Sequence, residues 1–334
     1  MIALVDLVRL SLGTAIEVGL EEGANDPNFT TAFIMTYSKD KCSANCAFCP
    51  QAQDSNSSPH MLSRIGWPEY KLDDFIHHLR PGLNFRRACI QCLNYPTVVE
   101  DVEEILAAVK TKVKLPVSIC IHPVSLEEMK RLQKAGAQKI GIAMDACTPE
   151  LFEKIKGAGR RGPYQWDHHL EAMQQALEIF GPGNVTTHLV VGLGETEAEA
   201  TEFIIKMYEM GITVGLFAFT AIRGTALEKT SQPALESYRR LQVLRYLVAN
   251  KLVNREGVSA DARGKLELKS DAAWLRETLS SGEAFRVTGC GGCNRPYYNE
   301  RPRGPMYNYP RPLSEDEVHK ALAEAGFVSR DGRV

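Results

Sequence analysis

No uninterrupted apolar run in the chain is long enough to cross a bilayer as a helix, and that lack argues against a protein built on helical spans. The one stretch that comes near it, Met1 to Ala15, is broken by Asp6 and Arg9, and no basic segment precedes it. Its apolar residues Leu4, Leu7, Val8 and Leu12 suit an amphipathic helix laid on a domain, not a signal peptide. An excess of one charge is missing too. There are 39 Lys and Arg against 41 Asp and Glu, a net of −2, which gives no electrostatic case for a nucleic-acid or membrane partner. Internal repeats, low-complexity tracts and evident linkers are also absent, which leaves one globular body as the reading.

Cysteine, by contrast, is plentiful. Nine in 334 residues, an odd number in short-spaced groups, fit metal ligation or redox chemistry better than a secreted disulfide framework. A reducing, cytoplasmic location follows as the expectation. The 44% hydrophobic content is enough for one large core, and single α/β barrels reach this length.

Short apolar runs alternate with longer amphipathic ones. Strands are expected at 31–36, 86–92, 117–121, 138–144, 184–191, 213–219, 252–260 and 284–287, and helices at 98–110, 126–135, 167–179, 197–210 and 236–251. Gly136 and Gly211 each stand between a helix and the next strand, as helix stops do. Eight βα units predict an α/β fold, a (β/α)₈ TIM-type barrel over 31–288. An N-terminal helical segment, 1–30, precedes it. A C-terminal extension, 289–334, rich in Pro, Tyr, Asn and Arg at its start, would lie over one barrel mouth. Ser314 with Glu317 is a capping-box pattern for a final helix there.

After the first strand comes Cys42-Ser-Ala-Asn-Cys46-Ala-Phe-Cys49, spaced C-x₃-C-x₂-C. Three thiolates can hold three irons of a cubane and leave the fourth iron open. A structural zinc site, the alternative, wants a fourth ligand that this triplet lacks nearby. In a barrel, loops after strands carry the active site, and this group follows a strand.

Cys42–Gln51, with Pro-Gln after the triplet, resembles the cluster loop of radical S-adenosylmethionine (SAM) enzymes, and of biotin synthase in particular. The resemblance runs roughly from Phe33 to Val287. It implies a [4Fe–4S] cluster on Cys42, Cys46 and Cys49 whose open iron chelates SAM, and a 5′-deoxyadenosyl radical that takes hydrogen from unactivated carbon. Phe48, directly before the third cysteine, is placed with the SAM contacts. Asp145 falls where biotin synthase grips the SAM ribose, although Ala143 stands where that family has asparagine. An N-cap for the following helix is the bland reading of Asp145. Gly192-Leu193-Gly194-Glu195 matches the family's turn beside the SAM adenine and methionine, so Gly192, Gly194 and Glu195 are assigned to SAM.

The same resemblance matches Cys89 and Cys120 to two of three cysteines that hold a [2Fe–2S] cluster in biotin synthase. The third position is Thr186, and for the arginine ligand of that site Arg263 is the nearest candidate. The chain has instead two C-x₂-C pairs, Cys89/Cys92 and Cys290/Cys293. They are read as the ligands of an auxiliary [4Fe–4S] cluster at the C-terminal barrel mouth, with Cys120 in reserve. A zinc site on the same pairs stays open, and Cys147 reads as a packed thiol. Arg295 and Arg301 are candidates to hold a substrate carboxylate.

The ending resembles the archaeal-type lipoyl synthases. That implies sulfur insertion into an octanoyl chain on a lipoyl-carrier protein or domain, a possible paralogous partner enzyme, and an electron donor such as ferredoxin or flavodoxin. Biotin synthase chemistry is one alternative. Another is a radical rearrangement or cleavage in which the second cluster is not consumed.

Overall fold

The computed structural model describes residues 5–300 and 304–326. Strand β1 (Leu7–Leu10) opens it, followed by α1 (Leu12–Val18) and β2 (Thr31–Thr36). The expected N-terminal helix is therefore strand first. Ser11 is the reason: its Oγ accepts the Thr14 amide at 3.3 Å, so the helix starts only after it, while Val8 and Leu10 are fully buried in an antiparallel pairing with β2. A small hairpin, β3 (Met61–Leu62) and β4 (Ile65–Gly66), precedes β5 (Glu69–Lys71), which pairs with the outer edge of β1, and α2 (Leu72–His78).

The βα alternation then runs as the sequence pattern predicts: β6 (Arg87–Gln91), α3 (Val98–Lys112), β7 (Val117–Cys120), α4 (Leu126–Ala135), β8 (Ala137–Gly141), α5 (Pro149–Ile155), α6 (Trp166–Phe180), β9 (Val185–Val191), α7 (Glu197–Glu209), β10 (Thr213–Ala218) and α8 (Leu235–Ala249). Strands β2, β6, β7, β8, β9 and β10 are parallel neighbours in that order. The α/β barrel class stands, with six parallel strands where eight were counted. The two surplus candidates fail for a local reason. In 252–260 the Asn254 side chain accepts the Gly257 amide at 3.2 Å, and the Asp261 side chain accepts the Arg263 and Lys265 amides at 2.8 and 2.9 Å. Such side-chain bonds compete with a sheet ladder. Only a short ribbon remains, β11 (Val258–Ala260) with β12 (Leu266–Leu268). Of residues 284–287, the first two complete a 3₁₀ turn, Glu283–Phe285, and Arg286 makes one isolated bridge to Tyr309, between α9 (Ala272–Leu279) and the extension that ends in α10 (Glu315–Ala325). The Ser314–Glu317 capping box is present as expected. Among the described residues no helix is long and apolar enough to cross a membrane.

Strand parity sorts the side chains. Ile34, Ala88, Ile90, Ile119, Leu189, Val214 and Leu216 face the helices and are at most 1% exposed. The alternate positions, among them Phe33, Cys89, His188 and Phe217, turn to the barrel interior.

The six parallel strands do not close on themselves: β1 and β5 continue the sheet beyond β2, and the extension bridges the seam between β10 and the N-terminal end of β2. Thr288 Oγ1 accepts the Leu216 amide of β10 at 2.9 Å, and the Gly292 carbonyl accepts Thr30 Oγ1 at 3.0 Å beside the N-terminal end of β2. Farther on, the Asn299 carbonyl accepts Thr220 Oγ1 at 3.0 Å, just past the C-terminal end of β10. The extension thus runs along the barrel wall from one end to the other rather than lying across a mouth.

Candidate active site

The cysteine loop follows β2 and is tied down at both flanks. Cys42 N–H donates to the Gln51 carbonyl at 3.1 Å, Ala47 N–H to the Ile155 carbonyl at 2.8 Å, and Asn45 Nδ2 to the Arg160 carbonyl at 2.6 Å. All three thiols are free. Burial pushes Cys42 up, pushes Cys46 up to about 12, and raises Cys49 further still, with Cys46 and Cys42 adding to the effect at Cys49. Three half-buried thiols within range of one another resist ionising together. Bound iron would remove that penalty, so this donor set fits a cluster.

Asp145 lies just beyond β8 with φ at +62°, and its amide donates to the His188 carbonyl at 2.9 Å. It does not cap the next helix, because Thr148 Oγ1 does that through the Leu151 amide at 3.2 Å. Instead, Asp145 borders the central cavity and pairs with Lys156, Nζ to Oδ2 at 2.8 Å. Lys156 also donates to the Ala143 carbonyl at 2.7 Å, so the position where the family's asparagine is missing is engaged through its backbone. The sequence reading did not single out Lys156. Its signal was there: a lysine between Ile155 and the glycines of Gly157-Ala158-Gly159.

The glycine turn after β9 demands its glycines. Gly192 has φ of +106°, and a Cβ there would sit 2.8 Å from Pro233; Gly194 has φ of +126°. Glu195 folds back, its carboxylate accepting the Gly192 and Leu193 amides at 2.6 and 3.0 Å, so it builds the turn itself. Leu193, Phe219, Ala47 and the adjoining Phe48 form a separate apolar group between this turn and the cysteine loop.

The second thiol set differs from its expectation. Cys89 and Cys120 point into the barrel and share a hydrogen bond, which with burial raises the Cys89 thiol; Cys293 and Cys290 lie near enough to raise it further. Cys92, three positions after Cys89, has opposite parity and packs with Tyr95 on the helix-facing core. Cys120, the reserve ligand, thus stands beside Cys89 in the barrel interior, where Cys92 was expected. Cys290 and Cys293 come from the other end as well: Cys290 Sγ accepts Ser118 Oγ at 3.2 Å in the lower half of β7, not at the C-terminal mouth. Two cations flank this set: Arg295, whose charge acts on Cys293, and Arg87, buried and bonded to Ser118 Oγ and the Gly291 carbonyl at 2.8 and 2.9 Å. Arg263 sits on the exposed β11–β12 turn, and Cys147 is a buried thiol of the main core. No set of three or more His, Cys, Asp or Glu is gathered about a single metal-ion position among the described residues.

A cavity of about 420 Å³ is bordered by Phe48 and Cys49 of the cysteine loop, by Asp145, Gln91 and His188, and by Arg295 to Asn299 of the extension. The Arg295 guanidinium lies 4.1 Å from the Phe217 ring centre and donates to the Thr288 carbonyl at 2.7 Å. Arg301 falls outside the described residues.

This geometry defines an iron–sulfur enzyme: a partial α/β barrel with a cysteine triplet at its strand ends. Residues 37–206 match the family model of the radical SAM superfamily, and the chain belongs to that superfamily. It is 32% identical over 170 residues, 48% of each chain, to a GTP 3′,8-cyclase from Rippkaea orientalis (strain PCC 8801 / RF-1). A protein of the same name from Microcystis aeruginosa (strain NIES-843 / IAM M-2473) is 25% identical over 168 residues, again 48% of each chain. The chain spans about half the length of these curated relatives. In fold it is similar to the FeFe-hydrogenase maturase HydG from Carboxydothermus hydrogenoformans, with a TM-score of 0.52, 16% identity, and 90% of this chain and 67% of that one covered. The relatives correct the expectation of sulfur insertion: they are named for a ring closure on GTP, not for a lipoyl-type synthesis.

Proposed function

We propose that the protein is a radical SAM enzyme that rearranges or cyclises a compact substrate held in the 420 Å³ cavity, with a second, non-sacrificial iron–sulfur cluster on Cys89, Cys120, Cys290 and Cys293. The observation that carries this reading is the shared cavity, which the cysteine loop walls on one side and the extension on the other. When bound to Cys42, Cys46 and Cys49, the [4Fe–4S] cluster supplies the electron that cleaves SAM to a 5′-deoxyadenosyl radical. Asp145 borders the cavity as a carboxylate acceptor for the ribose, and the apolar group of Phe48, Leu193 and Phe219 offers a flat face for the adenine. The rings of Phe33, Trp67 and Phe217 exclude water from the radical. Arg295, stacked on Phe217 with donors to spare, is the cation for an anionic group of the substrate.

Four chain thiols around the second set would close every corner of a cubane. Such a cluster conducts electrons or stiffens the barrel and has no iron open to the cavity. A one-electron donor of the ferredoxin or flavodoxin type completes the cycle. The relatives' names make GTP the first substrate to try.

The test is anaerobic incubation of the iron-reconstituted protein with SAM, dithionite and GTP, followed by mass spectrometry. A substrate-dependent rise in 5′-deoxyadenosine together with a product isomeric with GTP supports cyclisation of this nucleotide. Rearrangement of other small anions would give isomeric products in the same assay. A product heavier than its substrate, or no SAM cleavage by protein that holds its cluster, overturns the reading. Metal analysis decides the second site: about eight irons per chain are expected for two cubanes, and bound zinc would overturn the second cluster.

A further inference from the structure

We infer that Lys156 is a positioning residue of the radical site, one that aims the Asp145 carboxylate at the cavity and sets a fixed positive charge against the cysteine loop. The inference rests on the radical SAM site. It concerns a residue to which neither the family motif nor the relatives assign a role.

Lys156 is 3% exposed although it is a lysine, and such burial needs a reason. All three of its ammonium hydrogens have somewhere to go. Two meet Asp145 Oδ2 at 2.8 Å and the Ala143 carbonyl at 2.7 Å, and the group faces the Tyr164 ring, 5.0 Å from its centre. The residue before it, Ile155, accepts the Ala47 amide from the middle of the cysteine triplet. The ammonium is thus carried on a segment bonded directly to that loop. The segment's glycines permit the approach, since a Cβ on Gly162 would fall 2.3 Å from the Lys156 carbonyl.

Two consequences follow from charge. Asp145 holds a left-handed backbone, and its side chain is tied to the Lys156 ammonium through Oδ2 at 2.8 Å. Lys156 thereby fixes which oxygen is free for a ligand in the cavity. The three thiolates of a loaded loop add negative charge to a buried place. A cation behind the loop favours the reduced, more negative state of the cluster, and so raises its potential.

The experiment compares full-length Lys156→Met, Lys156→Arg and Asp145→Asn with the parent after anaerobic reconstitution. The readouts are iron content, the midpoint potential of the SAM-binding cluster by EPR-monitored titration, and SAM affinity by equilibrium binding. Lys156→Met is expected to shift the potential negative and weaken SAM binding about tenfold or more at unchanged iron. Lys156→Arg should restore most of the potential. Asp145→Asn should weaken SAM binding without the negative shift, since it leaves the cation in place. Should Lys156→Met fail to hold iron, the contrast between Lys156→Arg and Asp145→Asn still decides. Parent-like potential and affinity in Lys156→Met would overturn the inference, as would a negative shift in Asp145→Asn or parent-like SAM affinity in that variant. If the parent itself bound no cluster, the site would fail rather than the role of Lys156.

Discussion

At the scale of single residues, His169 shows what burial does to a titrating group. It is 1% exposed, edge-on to Phe152 and Tyr164 at 5.0 Å from each, and bonded through Nδ1 to the Gln165 carbonyl at 3.0 Å. Burial, helped by the charge of Lys156, pushes it down to about 2, and burial pushes His122 down to about 4. Both are neutral in the folded protein but protonate near 6.5 when it unfolds. The unfolded state therefore gains protons first as pH falls, and stability present above pH 6.5 is lost below it. Anaerobic urea titrations should show the folding free energy falling between pH 7 and 5, by up to about 1.4 kcal/mol per pH unit for each histidine. His169→Phe should flatten that fall, and a parent-like slope in the variant would count against the assignment.

Cysteines were legible as a class and only partly as ligands. The Cys42, Cys46, Cys49 spacing lies within one loop, so adjacency in sequence is adjacency in space. The second set draws on β6, β7 and the extension, and there strand parity decides. Cys89 to Cys92 is an odd step, which turns Cys92 to the helices. Cys120→Ser should accordingly halve the iron content of the reconstituted protein, whereas Cys92→Ser should keep it; the reverse result would restore the C-x₂-C pair as ligands.

At the scale of elements, caps and glycines set the boundaries that periodicity had left soft. Ser125 and Glu128 make a reciprocal capping box on α4, as Thr196 and Glu199 do on α7, and Gly136 closes α4 in the left-handed conformation. Thr196→Ala should cost about 1 kcal/mol in urea unfolding, with the added effect of loosening the turn that starts at Gly192. Gly192→Ala should do worse. Its φ of +106° and the 2.8 Å approach to Pro233 combine strain with a clash, so SAM affinity should drop along with stability. Strand 252–260 misled because its apolar residues alternate plausibly, while the side chains that fold it into turns, Asn254 and Asp261, act through local bonds that periodicity does not weigh.

At the scale of the whole molecule, one buried arginine is a principal anchor of the extension. Arg239, 1% exposed, donates to the Met306 and Tyr307 carbonyls at 2.5 and 2.7 Å and to Glu324 at 2.9 Å. Arg239→Met takes this donor from Glu324 and the Met306 carbonyl, while Gln242 Nε2 still reaches the Tyr307 carbonyl at 2.9 Å. It should destabilise the protein by about 3 kcal/mol and expose the seam beside β10 to limited proteolysis. Unchanged cleavage would show that the extension is held elsewhere.

The seam also imposes an order in time. Ser118 and Cys290 meet across 172 residues of chain. At ribosomal rates that distance takes roughly 9–35 s to synthesise. Cys42, Cys46 and Cys49 are all made before this wait begins, whereas Cys89 and Cys120 must endure it with their partners still unmade. Iron delivery to the first loop can thus run alongside translation, while the proposed second cluster would have to wait for the extension to be made.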